Sequence, residues 1–441
     1  MTSKLDRRRF LRESAFAGAG VVLAGTTGVL RRSANAAEAP RRGPNEEIRT
    51  ALLGINGQGR HHIDYLQASQ NVRIVTLCDP DERLFPERIG LVKGGTPKTE
   101  KDLRRVLEDQ DVDCVSIAAP NYWHALATVW ACQAGKDVLV EKPATYCIAE
   151  GPKMIEAARK YGRVVQVMTH LRAKKGRQEA MRLLRAGLLG DLYMARGLVF
   201  RPRESMAHAD DSSVPEGVDY DLWCGPAAMK TFNTNRFHYN WHWFWEYGNG
   251  EIGNNGPHVT DLAIEGLDKQ DVLPIKIASQ GGRFVWKDQG ETANTQMVTY
   301  RYEDGVVFTL EVRNLASNQE SGVSMGVIFY GSKGYMIIHL DGKYETVIDG
   351  QPGPQGSGDG RHRELAANFF EVVRSRDKAE QLAPIEYGHI GSALCHLGNI
   401  AYRLGRSVEF DPQALTFGGD AEANALLTRT YREPFVMPAR I

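Results

Sequence analysis

Ala51-Leu52-Leu53-Gly54-Ile55-Asn56-Gly57-Gln58-Gly59-Arg60 is a short apolar run that meets three glycines within a few residues. A buried strand that must turn at once into a helix needs residues without a Cβ at the turn. The helix that follows, about Arg60 to Ala68, presents free N–H groups and the positive end of its dipole to whatever rests on the turn, which suits a pyrophosphate. The next strand, Val72 to Leu77, runs into Cys78 and Asp79. That acid stands at about the spacing expected for a carboxylate bonding the adenosine ribose hydroxyls. With Gly54 and Gly59 as the outer glycines of G-x-G-x-x-G, Asn56 takes the middle position with Gly57 beside it. Asn tolerates positive φ, so the turn survives the exchange. On the glycines alone an ordinary strand-to-helix turn is an equal reading; strand, helix, strand and terminal acid together favour a dinucleotide site. Gly54, Asn56, Gly57, Gln58, Gly59, Arg60 and Asp79 are its candidate residues, and Asp79 favours NAD over NADP because a carboxylate repels the 2′-phosphate.

Downstream the alternation continues. Lys98 to Gln110 has helical spacing, Asp113 to Ala119 is a buried strand ending at Pro120-Asn121-Tyr122-Trp123-His124, and Val138 to Val140 ends at Glu141-Lys142-Pro143. A helix from Ala149 to Tyr161 and a strand from Val164 to Met168 complete the pattern. Alternating strands and helices imply a doubly wound parallel sheet with ligands at the strands' carboxyl ends, where Asn121, His124, Glu141 and Lys142 also fall.

Beyond Met168 the pattern changes to a helix at Gly176 to Ala186 and a series of alternating strands: Tyr193 to Phe200, Ile275 to Ser279, Gln296 to Tyr302, Val306 to Val312, Met325 to Tyr330 and Tyr335 to Leu340. Glu303-Asp304-Gly305 is a hairpin turn. A surface loop at Gly350 to Gly360 and helices at His362 to Arg374, Gly388 to Leu404 and Ala421 to Tyr431 close the chain. The fold class is therefore α/β: an N-terminal Rossmann domain, 48–168, and a C-terminal α+β domain, 169–441, with a large, open, mostly antiparallel sheet.

At the other end, Asp6-Arg-Arg-Arg-Phe-Leu-Arg12, a glycine-broken apolar run to Leu30 and Ser33-Ala34-Asn35-Ala36 resemble a twin-arginine signal peptide with an A-x-A cleavage site. A basic amphipathic anchor that stays attached is the alternative. Residues 37–47 read as a linker. This route carries folded proteins, which implies the twin-arginine machinery as a partner, a periplasmic location and a cofactor held tightly through export. The whole chain has 54 basic and 54 acidic residues; without residues 1–36 it has 47 and 52. Nothing in that balance suggests a nucleic-acid partner. Six cysteines show neither a C-x-x-C pair nor zinc spacing, so no metal site is expected.

Glu141-Lys142-Pro143 behind a glycine-turn nucleotide domain, followed by an open sheet, resembles the Gfo/Idh/MocA oxidoreductases over essentially the whole mature chain. The resemblance implies that Lys142 reaches the nicotinamide and the reacting hydroxyl; a desolvated lysine can exchange a proton with it as hydride moves. It also implies an acid and a His four residues apart at the start of a helix in the second domain. Here His258 fits, but Asn254 stands where the acid belongs, so Lys142 and His258 share the acid–base work. Arg172 is a substrate-side candidate by position in the family pattern, and a homo-oligomer is expected from the family's open sheet.

Phe237 to Tyr247 is dense in rings with polar tips. Tyr239 and Trp241 offer faces for a pyranose, and His238, Asn240 and His242 can bond its hydroxyls; core or subunit packing is the alternative for each ring. Together these readings point to an exported NAD enzyme oxidising a carbohydrate, polyol or glycoside. A redox-neutral NAD-dependent glycosidase and a non-catalytic nucleotide- or sugar-binding relative are the competing readings.

Overall fold

The computed structural model describes residues 46–358 and 362–441. The expected signal peptide, 1–36, and most of the expected linker, 37–47, lie outside the described residues. The N-terminal sheet contains β1 (Ile48–Leu53), β2 (Val72–Cys78), β3 (Lys98–Glu100), β4 (Cys114–Ile117), β5 (Asp137–Val140) and β6 (Val165–Val167), in the order β3-β2-β1-β4-β5-β6. Every pairing is parallel.

Parallel strands require both faces covered, and the side chains of β1 alternate accordingly. Leu52 packs with Ile63 and Leu66 of α1 (Gln58–Gln67) on one face, while Ala51 and Leu53 pack with Ala125, Leu126 and Val129 of α2 (Asn121–Gln133) on the other. The expected helix from Lys98 to Gln110 is instead the edge strand β3 and a short helix, Leu103–Glu108. Asp102 causes the break, because its carboxylate accepts the Arg104 N–H and caps the helix there.

After α3 (Glu150–Lys160) and α4 (Lys175–Arg185) the chain enters a nine-stranded sheet. Its strands are β7 (Leu192–Phe200), β8 (Lys276–Gly282), β9 (Thr295–Arg301), β10 (Val307–Arg313), β11 (Met325–Gly331), β12 (Gly334–His339), β13 (Tyr344–Ile348), β14 (Gln351–Pro352) and β15 (Val408–Glu409), ordered β14-β13-β12-β11-β7-β10-β9-β8-β15. Only β7 and β10 pair in parallel. One face packs on α4, α6 (Gly256–Gly266) and α8 (Ile385–Leu404), while α5 (Gly250–Asn254) leads into α6. The opposite face exposes Tyr193, Met297 and Tyr335. The last expected helix shortens to Ala421–Ala425.

The helix α7 (His362–Ser375) returns to the N-terminal sheet, where Leu365, Ala366, Phe369 and Phe370 join Leu52, Ile74 and Leu77 in one apolar cluster. Among the described residues no helix is long and apolar enough to cross a membrane. None of their His, Cys, Asp or Glu side chains group in threes to hold a metal ion.

Candidate active site

The turn after β1 is built from close backbone approach. A Cβ on Gly59 would lie 2.0 Å from the Gly54 carbonyl oxygen, and one on Gly54 would lie 2.5 Å from the Ala119 nitrogen, so both positions exclude any side chain. Positive φ falls on Gly54 (84°) and Gly57 (45°) and not on Asn56, whose carbonyl instead accepts the Gly59 N–H at 2.8 Å. The strain expected at Asn56 is thus carried by its glycine neighbour. No side chain caps α1, and a Cβ on Gly57 would meet nothing within 4 Å. The helix N-terminus therefore faces a cavity of about 610 Å³.

Asp79 ends β2 at the wall of this cavity. Its two oxygens accept the Ile55 N–H at 2.9 Å and the Asp81 N–H at 3.0 Å, and Arg88 holds the turn from behind by donating Nε–H to the Ile55 carbonyl at 2.8 Å. Burial pushes the Asp79 carboxyl up to about 6 against these bonds, leaving it mostly ionised at neutral pH. Space-demanding glycines, an open helix N-terminus and an acid at the end of the next strand fit a dinucleotide: pyrophosphate on the Gly57 turn, ribose at Asp79.

At the far end of the cavity Lys142 follows β5, half-buried. Its ammonium donates to the Asn254 carbonyl at 2.9 Å and lies 3.4 Å from the Asn254 side-chain oxygen. Burial lowers the Lys142 pKa; Glu141 and Glu251 oppose that, while Arg203 and Arg201 add to it. Glu141 is fixed by a buried chain in which His62 bridges it, at 3.1 Å, to Ser116, at 2.8 Å. Burial alone would raise the Glu141 carboxyl, but the bond and charge of His62 and the neighbouring Lys142 hold it at about 2.

Lys142 also lines a second cavity of about 350 Å³, shared with Gln58, Glu141, Tyr239 and Asn254 and reaching His258. The His258 ring meets His170 edge-on at 4.7 Å. Lys142 therefore stands where the nucleotide cavity and the His258 cavity join.

Gly54, Asn56, Gly57, Gln58, Arg60, Asp79, His124, Glu141, Lys142, His238, Tyr239, Trp241, His242 and Asn254 all line the larger cavity. His238 sits near its Asp79 end, bonded to Asp81 at 2.7 Å, so it approaches the cofactor side and not the sugar side on which it was expected. His124 has both ring nitrogens against backbone carbonyls, those of Pro143 and Ala119, and braces the Lys142 turn. His242 rests on Trp241, bonds the Tyr239 carbonyl at 2.5 Å, and is pushed by burial down to about 3, which makes it a neutral hydrogen-bonding group.

Of the expected residues, Gly59, Asn121, Arg172 and Asn240 line neither cavity. Asn121 donates to Asn249 at 2.7 Å in a buried contact between the sheets. Arg172 is buried against Asp261 at 2.8 Å, with Arg177 on the same acid, and works as part of a structural ion network in place of a substrate contact. Trp243 and Trp241 are buried, and Trp241 packs on Tyr122. Sequence reasoning missed Glu251, Arg201, Arg203 and His170. Glu251 is fully buried, pairs with Arg203 at 3.1 Å and accepts from Asn255. Its only sequence signal is its place one helical turn before Asn254.

Residues 48–169 match the family model for the oxidoreductase NAD-binding Rossmann fold, and residues 203–437 match that for the oxidoreductase C-terminal alpha/beta domain. D-glucoside 3-dehydrogenase of Escherichia coli is 23% identical over 361 residues, 78% of this chain and 92% of that protein. A glycosyl hydrolase family 109 protein of Shewanella pealeana is 26% identical over 206 residues, 43% of this chain, and the match spans only 44% of that protein. Among solved structures, the aldose-aldose oxidoreductase of Caulobacter crescentus superposes with a TM-score of 0.63 at 17% identity, over 83% of this chain and 100% of that one. Levoglucosan dehydrogenase in complex with NADH and L-sorbose gives 0.63 at 16% identity, over 82% and 99%. Both domain models match in the order in which the two sheets were built above, and the chain belongs to the Gfo/Idh/MocA family of oxidoreductases.

Proposed function

We propose that this protein is an exported, NAD-dependent enzyme that keeps its cofactor bound and oxidises a ring hydroxyl of a sugar or glycoside reversibly. The observation that carries this reading is Lys142 at the junction of the two cavities, desolvated and held by Asn254. A nicotinamide bound in the larger cavity supplies the hydride acceptor or donor. The chain's residues do the rest. Gly57 and the α1 N-terminus seat the phosphates, Asp79 bonds the ribose, and Lys142 exchanges the hydroxyl proton, with His258 on the same small cavity to pass it on. Burial lowers the Lys142 pKa, the direction a proton-exchanging lysine needs. The NAD choice rests on the ionised Asp79, and export rests on the twin-arginine-like sequence ahead of the described residues.

The first test is Lys142→Ala in the holo-protein. Nicotinamide nucleotide released by acid denaturation should stay near one per chain, while turnover of the true substrate falls roughly 100- to 10,000-fold. A loss below tenfold would remove Lys142 from the acid–base role.

Asn254 favours a second reading, a redox-neutral cycle in which transient oxidation acidifies the neighbouring carbon and a glycosidic bond is eliminated. An amide at 254 positions Lys142 but takes no proton from it. The family 109 relative supports this reading over under half its length. Incubation with glycosides in deuterated water without oxidant separates the two. Many turnovers with deuterium beside the oxidised carbon indicate the redox-neutral cycle, and one stoichiometric reduction of bound NAD indicates the dehydrogenase.

A further inference from the structure

The smaller cavity is cationic although the mature chain has more acids than bases. Lys142, Arg201 and Arg203 all line it, and among the described residues Glu141 is its sole acidic lining residue. The charges there are not equally committed. Glu141 is tied to His62, Arg203 is neutralised by Glu251 and also donates to the Tyr239 hydroxyl at 3.1 Å, and Lys142 is bonded to Asn254. Arg201 differs: it follows β7 directly, is exposed, and among the described residues pairs with no carboxylate. Both guanidiniums reach far enough to depress Lys142 further after burial has lowered it. A wall so rich in donors satisfies itself best on a ligand rich in acceptors, and an arginine without an acid partner binds carboxylate or phosphate through its planar fork. A volume of about 350 Å³ lies at the small end of ligand pockets and suits one sugar ring.

We propose that the substrate is a sugar carrying an anionic group, a carboxylate or a phosphate, and that Arg201 binds that group beside Lys142. This rests on the oxidoreductase reading above. Arg201 is then the specificity-determining residue: the anion anchors one end of the ring, which turns a hydroxyl toward Lys142, and Arg203 is kept from competing by Glu251.

The test titrates holo-protein with methyl β-D-glucuronide, glucose 6-phosphate and methyl β-D-glucoside at low and high ionic strength. At low salt at least one charged sugar should bind roughly tenfold or more tighter than the neutral glucoside, as charge-assisted bonds require. The gap should narrow in high salt. Which charged sugar is preferred tells carboxylate from phosphate. Arg201→Gln should abolish the preference and Arg201→Lys should retain part of it, both with unchanged released nucleotide per chain. A glucoside that binds as tightly as both charged sugars, or an Arg201→Gln protein that keeps the preference, overturns the proposal. Failure of the oxidoreductase reading looks different: the protein would release no nicotinamide nucleotide, whatever the titrations give.

Discussion

Lys142 is gripped by a residue that cannot share its proton, and that makes the site unusually easy to perturb by a single atom exchange. Asn254→Asp would place a carboxylate where the amide oxygen now stands 3.4 Å from the ammonium. An adjacent negative charge favours the protonated lysine, so its pKa rises. The acidic limb of kcat/KM for sugar oxidation, which reports the base in the free enzyme, should move to higher pH in that variant. A profile that stays in place would show that Lys142 is not the titrating base. Asp79 gives a second pH signature. Its folded pKa of about 6 lies above its ordinary 3.8, so its contribution to stability is present below 3.8 and is lost as pH rises through 6. The same protonation removes the charge that repels a 2′-phosphate. The NADP-to-NAD affinity ratio of apo-protein should therefore rise as pH falls through about 6, and Asp79→Asn should flatten the part not due to the phosphate's own titration. Equal slopes in the two proteins would move cofactor choice to another residue. Lys142 and Asp79 were legible because each follows a strand in a short motif. Glu251, Arg201 and Arg203 were not, because their meeting point exists only once β7 and α5 are folded onto the end of β5.

At the scale of elements, the glycine turn was legible and its division of labour was not. Spacing located Gly54 and Gly59; only the backbone shows that Gly57 carries the positive φ and that Asn56 spends its carbonyl on Gly59. Gly59→Ala would drive a methyl into the Gly54 carbonyl, which has no room to withdraw between β1 and Ala119. We expect that variant to purify without nucleotide, measured by absorbance of the acid-released supernatant, and to melt at lower temperature. Period-two alternation identified most strands of the larger sheet, as in β9, where Gln296, Val298 and Tyr300 are buried between exposed neighbours. β13 shows the same alternation at Tyr344 and Thr346, but it follows a turn so closely that the sequence carries no separate strand signal. The Lys98 to Gln110 stretch failed for the opposite reason, since Leu103, Val106 and Leu107 set a helical period that Asp102 confines to its second half.

Across the whole molecule, rings from later in the chain fold onto the helix layer of the N-terminal sheet. Tyr122 of α2 donates to the Trp223 carbonyl at 2.7 Å and meets Trp223, Trp241 and Tyr247 edge-on, so rings from the second half of the chain complete the core of the first. The rings of 237–247 leave sugar-binding faces and core packing both open in the sequence, and for Trp241 packing dominates. Trp241→Ala should lower the unfolding free energy by about 3 kcal/mol or more, measured by urea denaturation. A protein of unchanged stability with weakened sugar affinity would return that ring to the substrate. α7 extends the same dependence over a longer stretch of chain. Phe369 and Phe370 complete, beside α1, the cover over Leu52 and Leu77 on one face of the N-terminal sheet, yet they lie some three hundred residues after β1. On the ribosome, that cover is therefore incomplete when β1 to β6 emerge: part of the apolar face must wait for α7. The N-terminal sheet thus finishes its core with residues that lie beyond the second sheet in sequence, and loss of α7 would uncover the first-made strands.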